Sequence, residues 1–261
     1  MLASLWIGKT GLSAQETALS TISNNLANIS TTGFKKDRPN FEDLLYQIKR
    51  QPGGLTSENT RLPSGLQIGS GVRVGINEKI FTQGDLETTD NSLDVAINGD
   101  GFLRVLLPDG TIGYTRDGNL SLDADGNIVN QSGYPMDPQI NVADATQITI
   151  SGDGQVEVVI NGDTANPQVA GQLQLTTFVN PAGLQDMGGD IYKETVASGA
   201  PNDGVPGEDG RGTLIQGMLE SSNVNAAEEL VNLITTQRAY EMNSKAISTA
   251  DQMLSFVTQQ L

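Results

Sequence analysis

The chain has 261 residues, a formal net charge of −16 and neither cysteine nor histidine. Without these two residue types, disulfides, thiolate metal sites and Ser-His-Asp or Cys-His triads are excluded, whereas carboxylate-only catalysis remains possible. Residues 81–218 carry four Lys/Arg against twenty Asp/Glu, so we expect no nucleic-acid partner, because phosphate binding needs a basic surface.

The N-terminal segment, residues 3–30, is predicted to form a long amphipathic helix. Leucines recur every seven residues, at Leu5, Leu12, Leu19 and Leu26. Ile22 and Ile29 follow the last two of these leucines by three positions. A heptad pattern of this length is typical of a helix that packs a narrow stripe against another helix. Gly33 is the expected stop. The first residues lack the basic and apolar regions of a cleavable secretory signal, and no apolar run is long enough to insert into a membrane.

Residues 40–75 are rich in turn-forming residues and predict an extended excursion, such as a long hairpin. A loop of this length inside a compact domain is unusual, so we expect it to be functional or ordered by a partner.

Residues 72–215 read as an all-β region. Short apolar runs such as Leu93–Ile97 and Val156–Ile160 alternate with Asn-Gly and Asp-Gly turns. This pattern is typical of antiparallel hairpins in a sandwich-like or barrel-like domain.

The C-terminal segment, residues 223–261, predicts a second long helix. Asn223 or Asn225 is the expected cap. The same seven-residue step recurs at Leu233, Tyr240, Ile247, Leu254 and Leu261.

Two local patterns suggest chemistry only superficially. The stretch from Asp123 to Asn127 resembles the start of a calcium loop, but the sixth and twelfth positions are Ile128 and Tyr134 instead of Gly and Glu. A hairpin turn is the better interpretation. The cations Lys35, Lys36 and Arg38 lack a larger basic field and are expected to face solvent or a protein partner.

The two heptad stripes allow two interpretations. They could form an intramolecular helical hairpin that caps the β region, or pack laterally against other copies of the chain. The hairpin alone would leave apolar residues uncovered, with Trp6, Ile7, Ile29 and Ile234 as the candidates, and this favours packing between copies.

Both termini carry motifs that resemble the bacterial flagellar rod and hook protein family. The N-terminal motif runs from Asn25 to Lys35, and the C-terminal motifs cover 220–225 and 236–245. The β-domain signature is matched at 93–102 and 114–118. The motif residues singled out are Asn25, Leu26, Ala27, Asn28, Thr32, Gly33, Phe34, Lys35, Gln237, Arg238, Ala239 and Tyr240.

Within this family, residues 46–71 resemble the insertion typical of distal rod members. The residues that carry this match are Tyr46, Gln51, Pro52, Gly53, Leu62, Pro63 and Gly65. We expect the insertion to contact adjacent subunits and to stiffen their assembly.

The resemblance implies an α+β chain in three parts. These are a coiled-coil-like helical assembly domain (1–34 plus 216–261), an extended hairpin with the insertion (35–75) and a β-rich outer domain (76–215). The terminal helices would line a hollow tube, with the heptad residues as its helical seam.

The implied function is that of a non-enzymatic structural subunit without a cofactor or metal. Copies would polymerise into the rigid drive shaft of the flagellar basal body, crossing the periplasm after export without a cleavable signal. The implied partners are the chain itself, proximal rod proteins, hook or hook-adjacent subunits, surrounding ring proteins and the flagellar export apparatus. Another axial family member, or less plausibly a secreted carbohydrate-binding or glycosidase-like β-domain, is the alternative.

Overall fold

A computed structural model describes residues 2–52, 55–57, 60, 61, 63–143, 145–160 and 167–259. The predictions made for Gly53, Leu62 and Leu261 lie outside the described residues. Backbone contacts divide the chain into two compact units. The helical unit comprises the residues up to Ala27, Asp37–Glu78 and the residues from Asn225 onward, and the β unit comprises Asn28–Lys36 and Lys79–Val224. The three-part division made from the sequence stays a prediction.

Two long helices dominate the helical unit. Helix α1 spans Leu2–Ala27 and helix α2 spans Ala226–Gln259. Asn225 caps α2, because its side-chain oxygen accepts the backbone N–H groups of Ala227 and Glu228 at 3.0 and 3.2 Å. Helix α1 ends three residues earlier than the heptad pattern predicted, and residues 28–30 form a turn instead.

A ribbon of short strands completes the helical unit. Strand β1 (Asp37–Asp43) pairs with β6 (Val72–Lys79), and β2 (Gln47–Arg50) pairs antiparallel with β5 (Leu66–Ile68). Between β2 and β5 in the chain, β3 (Leu55–Ser57) pairs antiparallel with β4 (Thr60–Arg61). We call the segment from residue 44 to residue 71, with these two inner pairs, the arm.

The β unit contains short strands, and the register of each described pairing among them is antiparallel. They are β7 (Leu86–Thr88), β8 (Val95–Asn98), β9 (Phe102–Leu106), β10 (Ile112–Thr115), β11 (Leu120–Leu122), β12 (Ile128–Asn130), β13 (Ala145–Ile150), β14 (Gln155–Ile160), β15 (Gln168–Gln172), β16 (Leu175–Thr177), β17 (Gln185–Gly188), β18 (Ile191–Lys193), β19 (Asn202–Gly204), β20 (Thr213–Gln216) and β21 (Met218–Glu220), with a short 3-10 helix at Pro181–Gly183.

The strands form an open assembly of several sheets. The largest has the order β17-β18-β10-β9-β16-β19, a second has the order β13-β14-β15, and β11–β12, β20–β8 and β21–β7 are two-stranded. The expected all-β, antiparallel middle region is therefore confirmed. The described residues contain no closed barrel, so the barrel-like form of the prediction is not what the chain adopts.

The core of the β unit has an aliphatic and an aromatic part. Val95, Ile97, Leu103 and Leu175 belong to the aliphatic part and are fully buried. In the aromatic part, the rings of Tyr114 and Phe178 meet edge to face with centroids 4.8 Å apart. Burial of this much apolar surface lets the β unit fold around its own core.

The turn predicted at 123–127 is confirmed. The N–H of Gly126 donates to the carbonyl of Asp123 at 2.9 Å, and the N–H of Asp123 donates to the carbonyl of Asn127 at 2.9 Å. Gly126 has φ +77°, a conformation that favours glycine. The segment joins β11 to β12 as a hairpin, as its turn chemistry indicated.

Candidate assembly site

The two terminal helices pack against each other in the antiparallel sense. Near the start of α1, a Cβ atom added to Gly8 would lie 2.7 Å from Cγ1 of Ile247. Further along, the amide nitrogen of Asn243 donates to the side-chain oxygen of Gln15 at 3.2 Å. Contacts in α2 therefore move toward its N-terminus as they advance along α1, and glycine lets the two backbones approach closely.

The buried residues of the two helices are mostly small or polar. Ala14, Ala18 and Thr21 are buried in α1, as is Ala250 in α2. Asn25 and Glu229 are each only 1% exposed. The heptad pattern did not predict this set, although asparagine inside a long helix is a signal that its side chain has a specific partner.

The predicted seam residues lie on and beside this contact. Ile22 is buried at 7% exposure, and Tyr240 is 39% exposed in the single chain. The others that the structure describes are half-buried: Leu5, Leu12, Leu19, Leu26, Ile29, Leu233, Ile247 and Leu254. Because 3.6 residues per turn do not divide evenly into seven, a heptad stripe drifts around a straight helix, and part of it lies at the edge of the contact. Their role in a seam between copies stays a prediction.

Both helices keep large apolar side chains exposed. The exposed set comprises Trp6, Ile7, Leu230, Val231, Ile234, Met242, Met253 and Phe256, with exposed fractions from 37% to 67%. Of the four residues expected to be uncovered, Trp6, Ile7 and Ile234 are exposed, whereas Ile29 is half-buried. An apolar surface of this kind on a polar protein is typical of an interaction site.

The N-terminal motif bends back into the β unit after helix α1. The Asn28 side-chain oxygen accepts a hydrogen bond from the Thr31 hydroxyl at 3.2 Å, within the turn that follows the helix. Gly33 has φ +73°, and a Cβ atom at this position would lie 2.9 Å from the backbone nitrogen of Asp117. Glycine is therefore required here by both its conformation and its surroundings.

The motifs from the two ends of the chain meet in the β unit. The N–H of Gly33 donates to the carbonyl of Glu220 at 2.8 Å. The Asn223 side chain accepts the N–H of Lys36 at 2.7 Å and donates to the carbonyl of Ile80 at 2.8 Å. Phe34 is buried beside these contacts, at 7% exposure. Both motifs are visible in the sequence, but nothing in their patterns indicates that they contact each other.

Lys35, Arg116 and Glu220 form a buried ion cluster, which we call the charge triad. Their exposed fractions are 0%, 4% and 1%. Nζ of Lys35 lies 2.5 Å from Oε1 of Glu220. Nε of Arg116 donates to Oε2 at 3.0 Å, and its Nη2 lies 2.9 Å from the same oxygen without hydrogen-bond alignment. The sequence-based expectation that Lys35 faces solvent or a partner protein is wrong for this side chain.

Neutral groups complete the polar surroundings of the triad. Lys35 also donates to the carbonyl of Thr82 at 2.9 Å, and Arg116 donates to the carbonyls of Gly99 and Gly101. The N–H of Gly84 donates to Oε1 of Glu220 at 2.9 Å. Burial, and then the charge of Arg116, lower the pKa of Lys35, while Glu220 opposes them. Removing one partner from such a buried pair costs about 3–5 kcal/mol.

The remaining motif residues occupy different environments. Thr32 is half-buried, and Ala27 is exposed at the end of α1. In α2, Gln237 and Arg238 are exposed and Ala239 is half-buried. The structure thus brings Gly33, Phe34 and Lys35 into the β unit but leaves the middle of α2 with much of its polar surface in solvent.

The arm exposes apolar and basic side chains together. Leu45 is 91% exposed, Ile48 61% and Leu66 56%. The exposed cations Lys49 and Arg50 lie on the same strand segment as Ile48. A two-stranded ribbon without a covered face is only marginally stable in water, so this surface is suited to contact with another protein.

The residues that identified the insertion lie along the arm. Tyr46 is 53% exposed, and Gln51, Pro52 and Pro63 are also exposed. Close packing requires glycine at position 65, because a Cβ atom there would lie 2.5 Å from the carbonyl oxygen of Arg50 and 2.7 Å from Cδ of Pro52. The turn residues therefore hold the two sides of the arm close together.

No helix in the described part of the chain is long and apolar enough to cross a membrane. Among the same residues, no group of three or more acidic side chains is arranged to hold a metal ion.

Comparison with known families gives matches over three regions of the chain. Residues 5–35 match the family described as "Flagella basal body rod protein", residues 96–158 match "Flagellar hook protein FlgE/F/G D1 domain" and residues 215–260 match "Flagellar basal body rod FlgEFG protein C-terminal". The first region covers most of α1 and the N-terminal motif, and the last region covers α2 and the C-terminal motifs.

Full-length relatives are also similar to this chain. The flagellar basal-body rod protein FlgG of Buchnera aphidicola subsp. Acyrthosiphon pisum is 56% identical over 260 residues, which cover 99% of this chain and 100% of the relative. The protein of the same name from Borreliella burgdorferi is 47% identical over 258 residues, 97% of each chain. The flagellar hook protein FlgE of Helicobacter mustelae is 43% identical over 141 residues, 51% of this chain and 30% of the relative.

Proposed function

The chain belongs to the flagellar basal-body rod protein family, and we propose that its copies polymerise helically into the distal rod, a rigid hollow shaft that carries torque from the motor to the hook. As a member of this family it is a structural rod subunit of the flagellar basal body. The family is structural, and no arrangement of side chains in the described part of the chain gives positive evidence of catalysis.

The apolar surface of the terminal helices is the observation that carries the proposal. The buried residues of α1 and α2 are Ile22 and a set of small or polar side chains, while Trp6, Val231 and Phe256 remain exposed. Burying the exposed part of such side chains against neighbouring copies is favourable, since complete burial of a large apolar side chain contributes about 1.5–3 kcal/mol. In such an assembly, one helix face of each copy packs against a different face of the next copy. The copies form an open helical polymer when the rotation from one copy to the next does not bring the last copy back to the first, and a closed ring when it does.

The distribution of charge supports a tube with helices inside and β units outside. Residues 1–80 carry nine Lys/Arg against six Asp/Glu, whereas residues 81–218 hold most of the negative charge. Close packing around an axis is easier for nearly neutral segments, and an acidic exterior repels surfaces of the same sign. In this arrangement the terminal helices line the central channel, and the ring proteins surround the acidic exterior.

The arm is assigned to contacts between adjacent subunits. Its exposed Leu45, Ile48 and Leu66 would be covered by a neighbouring copy, which would also order the marginal two-stranded ribbon. Each such contact restricts sliding between subunits, so the arm would stiffen the shaft. This role distinguishes the distal rod from the alternatives, a proximal rod or hook subunit.

The finer partners and location follow from the same proposal. The subunit would pass through the flagellar export apparatus, join proximal rod proteins at one end and hook or hook-adjacent subunits at the other, and span the periplasm. A chain without cysteine suits this route, because no stray disulfides form in an oxidising compartment.

Electron microscopy of the purified chain tests the proposal. Under conditions that promote assembly we expect straight, hollow tubes. Curved tubes would favour the hook alternative, and a chain that stays monomeric at high concentration by analytical ultracentrifugation would contradict a rod subunit that assembles by itself.

A further inference from the structure

The charge triad joins residues that are far apart in sequence. Glu220 follows Lys35 by 185 positions and Arg116 by 104 positions. During synthesis from the N-terminus, both cations are therefore added to the chain long before the carboxylate that pairs with them. All three side chains are almost completely buried in the folded β unit.

One carboxylate compensates two buried cations. Among the described residues, no other carboxylate lies within ion-pair distance of Lys35 or Arg116. The carbonyl groups of Thr82, Gly99 and Gly101 satisfy hydrogen bonds but carry no net charge. Without Glu220, the folded β unit would enclose two positive charges and no negative one, which is strongly unfavourable at low dielectric constant.

We propose that Glu220 is a folding gate: the β unit closes around Lys35 and Arg116 only when the carboxylate of residue 220 is in place. Until then the chain stays open, although its aliphatic and aromatic core residues are already present. The gate itself does not depend on the proposed function, but its use does, because a subunit that must travel to the end of a growing shaft benefits from folding late.

The same contacts explain why closure involves both chain ends. The carbonyl of Glu220 accepts the N–H of Gly33, so docking of the carboxylate also places the N-terminal motif. Asn223, three positions later, binds the N–H of Lys36. Closure of the triad therefore fixes residues 33–36 in the β unit in the same step.

Shortening the chain cannot test the gate, because it also removes strands. Strand β21 ends at Glu220 and pairs with β7, and β20 pairs with β8. Loss of these pairings would unfold the β unit whatever the charge of residue 220. The test must therefore change one charge in a chain of full length.

The absence of native cysteine allows such a change. The full-length variant Glu220→Cys is alkylated in denaturant with either iodoacetate or iodoacetamide and then refolded by dilution. The two adducts have nearly the same shape, but the first carries a carboxylate and the second a neutral amide. Near-ultraviolet circular dichroism of the buried Tyr114 and Tyr192, together with protease resistance, reports folding of the β unit.

We expect the carboxylate adduct to fold, and the folding equilibrium constant of the amide adduct to be lower by about a hundredfold or more, as for other broken buried ion pairs. In a Lys35→Met/Arg116→Met background this preference should invert, because the carboxylate is then the uncompensated charge. Glu220→Gln should reproduce the amide adduct without the added length of the alkylated side chain, and Lys35→Met/Arg116→Met/Glu220→Met should fold.

Equal folding of the two adducts, or the same preference in both backgrounds, would overturn the gate. So would a folded β unit in Glu220→Gln as stable as in the unaltered chain. These readouts concern the single chain and are separate from the tubes that test the proposed function, so either proposal can fail alone.

Discussion

The side-chain amide of Asn25 in helix α1 donates to Oε2 of Glu229 in helix α2 at 3.2 Å. Both residues are almost fully buried. The same Asn25 amide donates to the carbonyl of Asp37, and its oxygen accepts the N–H of Asp37. One side chain thus links the end of α1, the start of α2 and the first strand of the ribbon.

Replacing Asn25 should lower the free energy of unfolding of the helical unit. In Asn25→Leu, Glu229 loses a hydrogen bond in a buried position, and we expect the free energy of unfolding to fall by about 1.5–3 kcal/mol. Urea unfolding followed by helical circular dichroism measures the change. Ser23→Ala, at an exposed position on the same helix, is the control; an equal loss in both variants would contradict a specific role for Asn25.

Tyr240 tests the seam between copies. It is 39% exposed in the single chain, so Tyr240→Asp should leave the β unit folded while placing a charge in an apolar contact between subunits. We expect sedimentation assays to show loss of polymer, with unchanged thermal unfolding of the β unit. Gln237→Asp adds the same charge at a neighbouring exposed position and serves as the control. Tubes of normal length from Tyr240→Asp would count against the seam.

Deleting residues 46–66 tests the arm. The deletion removes the inner strand pairs but keeps β1 paired with β6, so the helical unit should still assemble. We expect tubes that bend more easily, measured as a shorter persistence length by electron microscopy. The double variant Ile48→Ser/Leu66→Ser keeps the arm but reduces its apolar surface, and it should give an intermediate value. Unchanged stiffness in the deletion would exclude the stiffening role.

Asp190 predicts a pH dependence of the β unit. Burial, and then the charges of Asp117 and Asp186, raise its pKa to about 6, while Lys79 opposes them. The folded state therefore binds this proton more tightly than the unfolded state, whose pKa is near 4. The contribution of Asp190 protonation to the free energy of unfolding is complete below about pH 4 and is lost as the pH rises through 6.

The variant Asp190→Asn removes this titration and retains the positive φ of 56°, which asparagine tolerates. Because the group is partly solvent-exposed, we expect a stabilisation below about 1 kcal/mol at pH 7.5 and none at pH 4. Urea unfolding at the two pH values measures it. Asp209→Asn, at another position with positive φ, should keep the pH dependence of the unaltered chain. If the free energy of unfolding of Asp190→Asn differed from that of the unaltered chain by the same amount at both pH values, the titrating group would not be Asp190.

Local rules made much of the architecture predictable. Heptad spacing indicated both helices, Asn225 was correctly offered as a cap, and the Asp-Gly turn at 125–126 was read as a hairpin. These features depend on residues within a few positions of one another, so they are visible in the sequence. The family motifs likewise identified the chain as a rod-family member before any contact was known.

Contacts between distant residues were decided only by the tertiary structure. Lys35 looked like one of three surface cations, yet it is enclosed with Glu220 and Arg116. The heptad residues were predicted to form one apolar stripe, yet among those described only Ile22 is buried in the single chain, together with Ala14, Ala18, Asn25 and Glu229. The sequence by itself determined the elements and the family, because propensity, capping and turn chemistry act locally. Partner choice at the centre of each unit was determined by three-dimensional packing, because the free energy of burying a charge or a small residue depends on what the rest of the chain places beside it.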